Sequence, residues 1–143
     1  MIGLHDLEGV WQLDREIEDR HAGTRGRLEG SCRFRRDGAG LRQEERGWLT
    51  LGGGAPLRAG RVYLWRAEGD GLAVYFEDGR AFHVLGPGRL ADRHWCDPDR
   101  YEVRYDFTGW PAWTQRWRLT GPRKDAVILS RFLPATGGAD GPA

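Results

Sequence analysis

The sequence predicts an all-β fold: a single closed up-and-down antiparallel barrel of about ten strands. Three observations carry this reading. Turn-forming residues recur about every ten positions along a 143-residue chain that holds 22 glycines and 7 prolines. Between those turns, apolar and charged residues alternate with the period of two that a half-buried strand requires. No stretch sustains a helical period, although the first few residues have room for a short helical turn. Strands are expected at 8–18, 24–35, 39–50, 57–67, 71–77, 80–86, 90–96, 100–107, 113–121 and 125–133. Residues 1–133 form the expected barrel domain, and the Gly/Ala/Pro-rich residues 134–143 an expected disordered tail.

Each element has its own pattern. In the first strand Trp11, Leu13 and Arg15 share a face. In the second, Gly26, Leu28, Gly30, Cys32 and Phe34 point inward against Arg27, Glu29, Arg33 and Arg35. The wet face of the third takes Arg42, Glu44 and Arg46, which sends Leu41, Gln43, Glu45 and Leu49 inward. Gly52-Gly53-Gly54 then reads as a flexible loop, because no Lys-Ser/Thr follows to make a phosphate loop. Alternation in the fourth strand is ambiguous, with Tyr63 and Trp65 offered to the interior.

Three turns fix the next faces. Asp78-Gly79 is expected to form a two-residue hairpin, pairing Glu77 with Arg80, Phe76 with Ala81 and Val74 with His83, so that Leu72, Val74, Phe76, Ala81, His83 and Leu85 share the inward face and Phe82 points outward. Gly86-Pro87-Gly88-Arg89 fits a type II turn that pairs Leu85 with Leu90 and sets His83 opposite Asp92. Asp97-Pro98-Asp99-Arg100 fits a type I turn, pairing Cys96 with Tyr101 and His94 with Val103. In the eighth strand Tyr101, Val103, Tyr105 and Phe107 alternate with Arg100, Glu102, Arg104 and Asp106. In the ninth, Trp113, Gln115, Trp117 and Leu119 oppose Arg116 and Arg118, and Gly121-Pro122 turns into the tenth.

Consecutive short strands suit a closed barrel because closure removes exposed sheet edges; a two-sheet sandwich is the alternative. Several inward positions carry polar groups or glycine where a filled core would hold Leu, Ile or Val. That composition favours an interior cavity.

Composition excludes several classes. Lys+Arg 22 against Asp+Glu 21 leaves a formal charge of +1 with no basic block, so neither nucleic acid nor a membrane surface is an expected partner. Two cysteines, Cys32 and Cys96, make no disulfide framework, and the first residues show no signal peptide. No apolar run reaches the length of a membrane span. A reduced, cytoplasmic protein is expected. No cofactor and no metal are expected: His83, His94 and Cys96 lack the close ligand spacing of structural zinc sites.

Gly9-Val10-Trp11 resembles the Gly-x-Trp motif that opens the lipocalin-like (calycin) barrels. The resemblance implies a tryptophan plugging the closed end, with a basic side chain from near the last strand across it; Arg131 or the Arg123-Lys124 pair would supply it. More specifically, the chain resembles an uncharacterised bacterial family of lipocalin-like domains of unknown function across residues 7–133. The matching segments are Leu7-Glu8-Gly9-Val10-Trp11, 76–83, 94–101 and Gly121-Pro122-Arg123-Lys124-Asp125. The heme-binding nitrobindins have a similar barrel, but Trp11 is followed here by Gln12-Leu13-Asp14-Arg15 rather than their glycine-rich run, so no heme is carried over.

Up-and-down topology puts all odd-to-even turns at one end, the mouth, and Trp11 at the other. His83, Asp92, His94 and Cys96 then point toward the core in the mouth half. The candidate ligand-binding set is Glu45, Tyr63, His83, His94, Cys96, Tyr101, Tyr105 and Trp117, with Trp65 beside it. Binding of a small organic molecule in this polar-lined cavity is the leading functional expectation. Glu45 also reads as a buried ion pair with Arg15, and His83 as a satisfied core histidine. Cys96 reads as inert packing, since His94 and Cys96 are two apart on one strand and poorly placed as a nucleophile pair. A first alternative is a cofactor-independent acid–base enzyme of the isomerase, cyclase or hydratase type. In it His83 is the base, Asp92 its orienting partner, and His94 or Tyr101 a donor. A second is a protein-interaction module with a filled barrel, in which outward Trp48 and Trp95 join an exposed patch or homodimer contact.

Overall fold

The computed structural model describes residues 1–135. One short helix, α1 (Leu4–Leu7), precedes ten strands: β1 (Gly9–Asp19), β2 (Thr24–Asp37), β3 (Gly40–Leu51), β4 (Leu57–Glu68), β5 (Gly71–Phe76), β6 (Ala81–Leu85), β7 (Ala91–Cys96), β8 (Asp99–Asp106), β9 (Trp113–Gly121) and β10 (Lys124–Pro134). They form one antiparallel sheet in the order β6-β5-β4-β3-β2-β1-β10-β9-β8-β7, so the first and last strands pair and the sheet nearly closes on itself. The all-β barrel expected from the alternation is the fold observed. Of the expected tail, Pro134 instead ends β10 opposite Trp11, and 136–143 lie outside the described residues.

A sheet this curved needs places where backbones can approach, and glycine supplies them. Gly30 and Gly47 face each other across β2 and β3. A Cβ on Gly30 would lie 1.9 Å from the Arg46 carbonyl oxygen, and one on Gly47 2.6 Å from that of Glu29. Any side chain at these positions would force the corner open.

The closed end is aromatic. Trp11 donates its indole N–H to the Leu7 carbonyl at 2.8 Å, and its ring lies 5.5 Å from Trp110 and 5.8 Å from Trp113. Trp113 in turn stacks on Phe132 at 3.8 Å. The basic residue expected over Trp11 is not there. Arg131 faces outward onto Glu16, Lys124 pairs with Asp99 at the mouth, and Arg123 is exposed. Tryptophan rings occupy the position that the resemblance assigns to a cation.

Three turn registers differ from expectation, each for an identifiable reason. In the β5–β6 turn the Phe76 N–H reaches the Arg80 carbonyl, and only Gly79 has positive φ, at 90°. The loop therefore has three residues rather than two, a geometry whose twist also matches paired strands. A bulge between Val74 and Tyr75 then restores Val74 opposite His83 while leaving Tyr75 opposite Ala81. The consequence is that Phe82, not Ala81, turns inward: Phe82 is 3% exposed and Ala81 lies at the surface. Burying the larger side chain favours this register by roughly 2 kcal/mol. Phe82→Ala is accordingly expected to cost about 3–5 kcal/mol in urea unfolding. Ala81→Ser should stay within about 0.5 kcal/mol of wild type; equal effects would refute the bulge.

At β7–β8 the loop is only Asp97-Pro98, so Cys96 pairs with Asp99 and His94 with Tyr101. Each partner shifts by two residues, which keeps the same parity of faces along both strands. The Gly86–Arg89 turn forms as expected, with Gly88 at φ 71°, but the ladder goes no further. The Leu90 carbonyl accepts instead from the Tyr105 N–H, drawing β7 toward β8 and opening a seam beside β6. His83 is therefore not paired with Asp92. The Asp92 carboxylate crosses the seam to accept the Val84 N–H at 2.8 Å.

Candidate functional site

Inside the barrel, side chains of four strands, β1, β3, β4 and β10, satisfy one another. Arg15 donates through both terminal nitrogens to the two Glu45 oxygens at 2.9 Å each, and through Nε to Ser130 at 2.7 Å. Gln43 donates to Glu45 at 3.0 Å and accepts the Trp65 indole N–H at 2.8 Å. Burial alone would pull the Arg15 pKa down; the Glu45 charge and hydrogen bonds override it, and the guanidinium ends above its ordinary value. The same burial drives the Cys32 thiol well up. The expected Arg15–Glu45 ion pair is present, as a structural floor that leaves Glu45 no free oxygen for a ligand.

A second buried group holds His83. Its Nε2 lies 2.8 Å from the Tyr105 hydroxyl, which also accepts from Gln115 at 2.8 Å. The other ring nitrogen, Nδ1, has no hydrogen-bond partner among the described residues. Burial is the main cause that lowers the His83 pKa, to about 3; the Asp92 charge opposes it and His94 adds to it. Burial likewise raises the Tyr105 hydroxyl far above its usual value. A ring held neutral, bonded through Nε2 and lacking a carboxylate on Nδ1 is not the oriented base of the acid–base reading. Asp92 spends its carboxylate on the Val84 backbone. The expected His83–Asp92 pair is thus corrected: long-range charge reaches the ring, but no hydrogen bond does.

The remaining candidates separate. His94 is half-buried among aromatic rings, 5.3 Å from Phe82, 5.4 Å from Phe76 and 6.0 Å from Tyr101. Tyr101, Phe82 and Tyr63 surround Trp117 at 6.0, 5.3 and 6.2 Å. Cys96 is exposed, because the tight Asp97-Pro98 loop carries it past the barrel rim; its expected place in the cavity is overturned. Trp48 and Trp95 are exposed as expected, but β4, β5 and β6 lie between their strands, so they do not share a patch.

The interior cavity is small. About 60 Å³ remains in the mouth half, lined by Arg15, Ile17, Leu28, Glu45, Leu49, Ala59, Gly60 and Arg61. That is room for about two waters and far below the roughly 300–1,000 Å³ of ligand pockets. Over it sits Arg61, which the sequence reading passed over although it shares inward parity with Tyr63 and Trp65 on β4. Its guanidinium carbon lies 5.4 Å from the Trp117 ring centre, and Nη1 donates to the Tyr63 hydroxyl at 3.3 Å. Arg61 forms no ion pair among the described residues: Glu45, its cross-strand partner, is already committed to Arg15. Arg61 is therefore an uncommitted cation at the mouth, above a floor of neutralised charge with apolar walls.

A nearly closed ten-stranded antiparallel barrel with a tryptophan-sealed base and a narrow mouth defines a lipocalin-like β-barrel protein. The chain belongs to the family of unknown function DUF6314, whose family model matches residues 7–134. Among solved structures it is similar to the S-type phycobiliprotein lyase CPES from Guillardia theta, with a TM-score of 0.62 at 9% identity over 92% of this chain and 90% of that one. At that identity the likeness is one of fold. No curated protein matches the sequence significantly. Among the described residues no helix is long and apolar enough to cross a membrane.

Proposed function

We propose that this barrel binds a small organic acid at its mouth, with an apolar body against Ile17, Leu28, Leu49 and Ala59 and an anionic end on Arg61. The observation that carries the reading is Arg61 itself: a cation without a carboxylate, laid over a pocket whose other walls are apolar or already neutralised. Arg61 is exposed, and moving its side chain off Trp117 would enlarge the space beneath. The buried histidine group contributes rigidity here rather than contact. Screening aromatic and aliphatic carboxylates by thermal shift, followed by calorimetry, tests the proposal. Arg61→Ala and the pocket-filling Ala59→Phe should each weaken a hit at least tenfold, whereas His83→Gln should leave its affinity within a factor of about two. Binding that survives Ala59→Phe would place the ligand elsewhere.

A second reading, an interaction module, is favoured by the packed interior. It predicts that no small acid shifts the melting temperature.

A further inference from the structure

The outer face of β7, β8 and β9 assembles a basic site from residues scattered along the sequence. Arg89, Arg93, Arg104, Arg116 and Arg118 border one concavity of about 690 Å³. Arg93 is held by Glu102 and Arg118 by Asp125, at the margins. Arg89, Arg104 and Arg116 form no ion pair among the described residues; the two carboxylates that also line the concavity are engaged, Asp92 by the Val84 N–H and Glu102 by Arg93 and Arg100. Arg104 and Arg116 are direct cross-strand partners, and on the other side Arg104 faces Ala91, whose single methyl leaves the hollow. Like charges placed opposite each other cost a sheet stability. Elsewhere on the barrel surface arginines meet carboxylates, as Arg27 meets Asp14 and Arg131 meets Glu16, and where two arginines also face each other, Arg35 and Arg42, both are bonded to Glu44.

We propose that this concavity binds a compact polyanion bearing two or more phosphate or carboxylate groups, gripped by Arg104 and Arg116 and flanked by Arg89. Guanidinium forks match both groups in bidentate fashion, and one dianion between Arg104 and Arg116 turns their repulsion into shared attraction. The volume is that of a small-ligand pocket. Glu102 and Asp106, two residues either side of Arg104, and Asp125, paired with Arg118, interrupt the basic surface, so it does not extend into the stripe that a nucleic-acid backbone follows.

Calorimetry on the full chain with inorganic tripolyphosphate and with citrate separates the two anion sources, and whichever binds more tightly names the group. Arg104→Gln and Arg116→Gln should each lower affinity at least tenfold. Arg33→Gln, at an exposed arginine on the outer face of β2, should leave it unchanged. Free of ligand, Arg116→Gln should melt at or above the wild-type temperature, because it removes a like-charge contact; an arginine serving the fold would lower it. The proposal is overturned if neither anion binds, if Arg33→Gln loses as much affinity as the patch variants, or if an RNA oligonucleotide binds while both small anions do not.

Discussion

Glu45→Ala is expected to destabilise the barrel by about 3–5 kcal/mol, a large share of the 5–15 kcal/mol typical of a domain. The reason lies in what is left behind. Arg15 is 4% exposed and its guanidinium makes three hydrogen bonds, two of them to Glu45. Without the carboxylate a buried cation keeps only Ser130, and Gln43 loses an acceptor as well. Restoring neutrality by removing both charges should recover much of the loss, since well-packed apolar replacements for buried ion pairs are often near neutral. The double variant Arg15→Met, Glu45→Leu should therefore be more stable than Glu45→Ala alone. Urea midpoints at unchanged slope measure this. A single variant within about 1 kcal/mol of wild type would mean that water reaches Arg15 and that the floor of the mouth is open.

His83 should give the protein an acid-sensitive stability that His83→Gln removes. In the unfolded chain this imidazole takes its proton near 6.5; in the barrel burial delays protonation to about 3. Between those values the unfolded state binds more protons, so stability is intact above about pH 6.5 and falls as pH drops through the window. The slope approaches about 1.4 kcal/mol per pH unit, and the total is on the order of 5 kcal/mol. Glutamine stays neutral and can still meet the Tyr105 hydroxyl, so the variant's stability should be flatter across pH 6.5–4 than that of wild type. Parallel curves would show that the ring charges in place, with the Asp92 charge close enough to stabilise it.

Much of the fold was legible because a sheet with one wet face writes itself as alternation. Arg100, Glu102, Arg104 and Asp106 had to face water, and that alone put Tyr101, Val103 and Tyr105 inside. The strand positions and the Arg15–Glu45 pair follow from the same period of two. Partners across turns did not follow, because a turn's length depends on how its strands twist together. Phe82 entered the core through a bulge whose gain is tertiary packing, and alternation had sent it outward.

The site divides the same way. Most inward side chains follow the period of two, and His83, Glu45, Tyr63, Tyr105 and Trp117 are all buried, while Phe82 and Cys96 depart from it. Whether they enclose space was decided by volumes meeting across the barrel: aromatic rings from β4, β6, β8 and β9 fill the middle, leaving about 60 Å³ near Arg61. Charge shows the division most plainly. A chain of net charge +1 with no basic run holds no visible anion site, yet the β8–β9 register sets Arg104 against Arg116, and the β6–β7 turn brings Arg89 beside them. Side-chain direction is a local property of the backbone and can be read along a strand. Which directions converge depends on strand pairing and packing, and those exist only once the sheet has curled.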